Sequence, residues 1–272
     1  MSTEIESSQS SGLLAFPLLS EQPKKTENVI IDNNTSRDQS VISLNYGSKL
    51  NMSNCIISNN TGDGIHISDS GYRCDSERPC ATVYVKNSLI YENTGIGIKC
   101  QGYPQFVIIN CTIADNGGFG LYVHDDVHGS NVSGVQAIIN SILWDNYPSS
   151  IDVGGQGFAL SFTYNDIDQH SAGQGNINAD PLFVNLQGGN FSLQEGSPCI
   201  DAGDPESGMD PDGTYPDMGA YYYHQSEIAP YPPQNLIATP GDNQATLTWS
   251  PNSDNDFASY RIYGGTSPNR SL

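Results

Sequence analysis

The chain predicts an all-β solenoid of stacked coils, and three observations carry that expectation. The first is an asparagine pair spaced six positions apart that recurs five times: Asn28/Asn34, Asn54/Asn60, Asn87/Asn93, Asn110/Asn116 and Asn140/Asn146. Successive copies begin 26, 33, 23 and 30 residues apart. Such a period belongs to solenoids, whose units bury their apolar faces only by stacking on one another. The second is period-two alternation in short β-branched stretches, as in Leu50-Asn51-Met52, Ile65-His66-Ile67 and Val83-Tyr84-Val85, which reads as strand. The third is what is missing: no stretch keeps helical periodicity over three turns, and no leucine-rich frame with a helical return occurs. Together they select a right-handed parallel β-helix, one coil per repeat, with coils about 4.8 Å apart.

In chain order, residues 1–25 read as a leader or cover for the first coil. Gly12 to Leu19 is apolar like a signal core, but acidic and polar residues precede it rather than basic ones, so packing on the first coil is the expectation. Residues 26–175 read as the coils. Each repeat has the form NVIIDNN, NCIISNN, NSLIYEN, NCTIADN or NSILWDN, with aliphatics two and three positions after the first Asn except at Thr112. Asn28, Asn54, Asn87, Asn110 and Asn140 are expected to stack as a ladder, their amides bonding from coil to coil. In three copies a glycine element follows (GDGIHI, GIGIKC, GGFGLYV), placed where tight bends need it. From Phe158, FALSFTYNDID reads as a sixth coil with its Asn slot blurred.

Cys74 and Cys80 bracket an excursion that lengthens one repeat, and a disulfide closing it would place the chain in an oxidising compartment. Cys55 and Cys111 fall in the same slot two coils apart, beyond disulfide reach. With Cys100 and Cys199 they read as small buried hydrophobes. No cysteine and histidine spacing suits zinc.

Residues 176–228 read as a terminal coil and an irregular cap over the last coil, whose apolar end and free strand edges need covering. Gly175-Asn176-Ile177, Asp180-Pro181-Leu182-Phe183, Ser197 to Gly203 (SPCIDAG) and Asp217-Met218-Gly219-Ala220-Tyr221 resemble the closing segment of secreted bacterial right-handed β-helix proteins of the choice-of-anchor Q type. Tyr222 stands where that pattern usually has Glu. The resemblance spans about Asn28 to Tyr223 and implies the pectate-lyase-like superfold. That superfold hosts lyases, hydrolases, epimerases, adhesins and phage spikes, so function must be argued from the site. Residues 229–272 read as a linker and a partial domain. Pro232-Pro233, Leu236, Ala238, ATLTW to Trp249 and Tyr260-Arg261-Ile262-Tyr263 resemble the first part of a fibronectin type III sandwich. A full sandwich needs about 100 residues, so the expectation is a domain cut short within a longer multidomain chain.

Charge narrows the partners. Ten Lys and Arg stand against 30 Asp and Glu, a formal net charge of −20. Nucleic acid and anionic membranes reward a basic face and are excluded as partners. No apolar run approaches a transmembrane span.

If Ile65 and Ile67 point inward, His66 points outward. The same register puts Lys99, Tyr122 and Asp152 in one outward column with it, a candidate catalytic row: Lys or His as base α to a uronate carboxylate, Tyr as acid, a cation on the carboxylate. His124, Asp125, Asp126 and His128 follow the third strand as candidate substrate-binding residues. Any outward solenoid column is polar, however, and the acidic surroundings suit a neutral glycan, or one bridged by Ca²⁺, better than a polyuronate. Asp201, Asp204, Asp210, Asp212 and Asp217 are candidate Ca²⁺ ligands around a D-x-D-G loop, the alternative being turn capping by their own side chains. Three functions stay open: a secreted β-helix monomer that binds polysaccharide without turnover, a polysaccharide lyase, epimerase or glycosidase, and a structural stalk or adhesin segment.

Overall fold

The computed structural model describes residues 3–5, 14–15, 24–45, 47–68, 79–102, 104–124, 135–154, 160–170, 172–225, 234–242 and 244–250. The chain divides into two compact units, Met1–Tyr223 and His224–Leu272. The first is a parallel β-solenoid with three sheets. Sheet A stacks Thr3–Ile5, Val29–Asp32, Ile56–Ser58, Leu89–Tyr91, Thr112–Ala114, Ile142–Trp144 and Asp166–Ile167. Sheet B stacks Leu14–Ala15, Thr35–Leu44, Thr61–Ser68, Ile98–Gln101, Leu121–His124 and Ile151–Gly154. Sheet C stacks Lys24–Glu27, Lys49–Ser53, Thr82–Lys86, Gln105–Ile109, Gln136–Ile139 and Leu160–Thr163. The sixth coil expected from FALSFTYNDID is present in sheets A and C.

Within residues 1–25 the described stretches join the stack: Thr3–Ile5 pairs with Val29–Ile31, and Leu14–Ala15 with Ile42–Ser43. Inward apolar side chains such as Ile57, Ile65, Val83, Ile90, Ile98, Phe106 and Ile138 fill a single core. Burial alternates along the sheet B strands, buried then half-buried, as the period-two pattern requires.

The asparagine ladder is real, but it runs through the second asparagine of each pair. The main-chain N and the Nδ2 of Asn34 donate to Asn60 Oδ1 (2.9 and 3.2 Å). Asn60 donates likewise to Asn93 (3.3 and 2.9 Å), Asn93 to Asn116 (3.2 and 3.0 Å) and Asn116 to Asn146 (3.2 and 2.9 Å). From Asn60 to Asn146 each Nδ2 also reaches a carbonyl one coil back, Asn93 to Ile57 O at 3.1 Å for example, whereas that of Asn34 takes Asp32 O of its own coil. Asn28, Asn54, Asn87, Asn110 and Asn140, expected as the ladder, are instead bend residues with φ of 49–56°. Left-handed backbone is tolerated by Asn better than by other side chains. Beside the ladder the glycine element fits a second demand. A Cβ on Gly97 would lie 2.7 Å from Gly120 O of the next coil, and one on Gly64 2.7 Å from Gly97 O.

Cys55 and Cys111 are buried in equivalent slots as expected, with Ser88 between them donating to Lys86 O and accepting from Cys55 N. Cys80 is disulfide-bonded; Cys74 lies outside the described residues.

The tail begins by extending the stack past the last coil, Ile177 bridging Asp166 in parallel and Asn176 Oδ1 accepting from Asn165 N and Nδ2. Residues 177–223 run along the outer face of sheet A, where Phe183, Phe191, Leu193, Cys199 and Met218 bury Leu89, Ala114 and Ile142 in a second core. Tyr91 packs edge-on to Phe191 at 4.7 Å, and Phe191 to Phe183 at 5.2 Å. Gly219 N donates to Asn140 O, and Ala220 N to Thr112 Oγ1. The strap thus covers strands of several coils, while Val153 at the end of sheet B stays 41% exposed. In the second unit, Gln234–Gly241 and Gln244–Ser250 form an antiparallel hairpin. Tyr260, Arg261, Ile262 and Tyr263 lie outside the described residues.

Candidate functional site

Register in sheet B builds the site. Ser43 pairs with His66, His66 with Lys99, Lys99 with Tyr122 and Tyr122 with Asp152. The four residues expected to form one outward column therefore do so, each flanked by buried neighbours on its own strand, apart from Asp152 on the outermost strand of the sheet, where Ile151 and Val153 are partly exposed. Two positions on, Ser68, Gln101, His124 and Gly154 form a parallel column. Asp125, Asp126 and His128 lie outside the described residues.

The ionisable groups are engaged with one another. Lys99 Nζ is 4.0 Å from Asp63 Oδ2, with side chains 23% and 12% exposed. Asp63 Oδ1 also accepts from Ile96 N at 2.8 Å. His66 Nε2 donates to Gln101 Oε1 at 2.8 Å on the next coil, which leaves the lone pair on Nδ1. Burial pushes the His66 pKa below the ordinary histidine value, and Lys99 adds to this. Gln101 and Asp63 oppose the shift without cancelling it, so the imidazole is neutral at pH 7.

A row of three rings crosses the face along one coil. Phe119 and Tyr122 have centroids 5.9 Å apart, and Tyr122 stacks on His124 at 4.2 Å and 13°. His124 leans over the next coil: a Cβ on Gly154 would lie 2.3 Å from its Cε1. This brings His124 Nε2 to 3.2 Å from Asp152 Oδ1. The approach is an ionic distance outside hydrogen-bond geometry, and Nε2 is buried with no hydrogen bond.

The proposed calcium aspartates serve the strap's turns. Asp210 Oδ2 accepts from Asp217 N, and Asp217 Oδ1 from Asp201 N. Asp204 Oδ1 accepts from Glu206 N, and Asp212 Oδ1 from Thr214 N and Oγ1. Among the described residues no three His, Cys, Asp or Glu side chains converge as a metal-binding group.

Asp63, Gln101, Phe119 and Gly154 belong to this face and were not singled out in the sequence. Gln101 and Gly154 were findable, since they occupy the position of His124 in the aligned strands. Asp63 was masked by its place inside a glycine element.

The stacked coils with one ordered outward face define a parallel β-helix protein. Residues 24–185 match the family described as right handed beta helix region, and the chain belongs to that family. No curated protein matches. Among solved structures, the crystal structure of pectate lyase Pel9A is similar at 16% identity and a TM-score of 0.38, over 73% of this chain. The chain spans 65% of that structure's length. Among the described residues no helix is long and apolar enough to cross a membrane.

Proposed function

We propose that this is a secreted or cell-surface β-helix protein that binds polysaccharide on the outward face of sheet B without turning it over. The observation that supports it most is the Phe119–Tyr122–His124 row set among in-register hydrogen-bonding side chains. Aromatic walls with a few fixed polar groups are how concave and flat ligand sites combine apolar contact with orientation. Binding is favoured over chemistry because the candidate catalytic groups already have partners: Lys99 has Asp63, His66 has Gln101, and His124 has Asp152. The Cys80 disulfide suits an oxidising, extracellular setting. On this reading the hairpin of the second unit begins a fibronectin-like spacer in a longer multidomain chain.

A second reading, a lyase or epimerase, draws on one observation. His66 is neutral at pH 7 with its Nδ1 lone pair available, as a general base must be. Glycan-panel binding, run alongside unsaturated-uronate absorbance and reducing-end assays with and without Ca²⁺, separates the readings. Binding without turnover is expected, weakened about tenfold or more in Tyr122→Ala. Turnover abolished by His66→Ala or Lys99→Ala would make the protein an enzyme. Binding to no glycan would leave it a stalk.

A further inference from the structure

The sheet B face carries a charge pattern and a stacked pair of rings that together specify the chemistry of a ligand. Its described cation is Lys99, already 4.0 Å from Asp63. Asp152 adds a second carboxylate, and His66 is neutral at pH 7. Among the described residues the face is therefore net negative, on a chain of formal charge −20. A uronate polymer brings one more negative charge with every sugar and meets repulsion at long and short range. At the subsite itself the argument is one of donors and acceptors. A carboxylate such as Asp152 only accepts hydrogen bonds, and so does a uronate carboxylate, whereas a sugar hydroxyl donates.

The ring of His124 lies where it does because residue 154 has no side chain. The His124 ring occupies the space above Gly154, stacked on Tyr122 and beside Asp152. Any Cβ at 154 would displace it, although the backbone there is ordinary and accepts alanine.

We infer that the ligand of this face is an uncharged polysaccharide, one sugar of which packs against the Tyr122–His124 rings and donates hydroxyls to Asp152, beside the His124 ring for which Gly154 leaves room. The inference rests on the glycan-binding reading above and adds to it the ligand class and a specificity-determining glycine.

The test is affinity electrophoresis of the full chain in gels containing galactomannan, arabinoxylan, mixed-linkage β-glucan, polygalacturonate or alginate, each with EDTA and with CaCl₂, at low and high NaCl. At least one neutral polymer is expected to retard the protein equally at both salt concentrations, and neither polyuronate to do so under any condition. Gly154→Ala is expected to weaken retardation about tenfold with an unchanged melting midpoint, and to add less than about twofold once His124→Ala is present. A polyuronate bound more tightly than every neutral polymer, with or without Ca²⁺, overturns the inference and leaves the glycan-binding reading standing. Retardation that falls steeply with salt, or additive losses in the double variant, also overturns it. Retardation by no polymer overturns both.

Discussion

Two asparagines per coil do different work, and single substitutions tell them apart. Asn93 is 1% exposed and sits mid-ladder, its Oδ1 accepting from Asn60 N and Nδ2 while its own amide bonds Ile57 O and Asn116 Oδ1. Replacing it by alanine strands several buried polar groups at once, each worth roughly 1–3 kcal/mol. Asn93→Ala is therefore expected to lower stability by about 3 kcal/mol or more in urea denaturation. Asn87, at φ 49°, supplies a bend. Asn87→Ala should cost only about 1 kcal/mol, and Asn87→Gly close to nothing, because glycine accepts that backbone freely. Equal losses at the two sites would contradict the division of labour. The sequence made the pairing visible and hid the division, because left-handed bends and buried amide ladders both select asparagine. The clue was in the flanks: the second asparagine precedes Thr61-Gly62, Thr94-Gly95 and Gly117-Gly118, where coils come into closest contact.

At the scale of the element, the strap over sheet A was legible in a feature that was noticed and read only as a repeat. Two consecutive aliphatics in a strand, as in Leu89-Ile90 and Ile142-Leu143, bury both faces of a sheet. Ile90 and Leu143 fill the solenoid, so Leu89 and Ile142 required an outer cover. The cover itself, with Phe183, Phe191, Leu193, Cys199 and Met218 irregularly spaced, has no period to betray where it lies. Its attachment carries a pH dependence. Asp166, whose carboxylate takes Ala179 N and the Cys199 thiol, is pushed up to about 6 by burial. Asp217, which takes Asp201 N and Tyr223 N, is also pushed up to about 6 by burial. A carboxyl whose folded pKa exceeds its unfolded value near 3.9 favours the folded state most when protonated. The contribution is full below about pH 4 and is lost as pH rises through about 6. The urea midpoint is expected to fall between those values, and the fall to shrink in the Asp166→Asn/Asp217→Asn double variant. A midpoint that rises over that window would show the two carboxylates ionise more readily in the fold than free.

For the whole molecule, the candidate site was the part most legible from sequence, because parallel in-register stacking makes register arithmetic. Counting from the asparagines aligned His66, Lys99, Tyr122 and Asp152, and the pairing of sheet B repeats that alignment residue for residue. What counting could not supply was direction off the sheet: that His124 leans across to Asp152, or that Lys99 reaches back to Asp63. The same composition that shapes the ligand argument also governs stability. A formal charge of −20 repels itself in the compact state. The described ion pairs that would lose by screening are few: Lys25 with Glu27, Lys99 with Asp63, and His124 with Asp152 when its imidazole is protonated. The exposed Lys25–Glu27 pair is worth little, about 0–1 kcal/mol, and the partly buried pairs are screened much less by salt. Raising NaCl from about 0.01 M to about 0.15 M shortens the screening length from about 30 Å to about 8 Å. Repulsion between coils then weakens more than the pairs do, so the melting midpoint at pH 7 is expected to rise with salt. A midpoint that falls would mean the ion pairs outweigh the repulsion, and would remove the electrostatic ground on which charged glycans are excluded from the sheet B face.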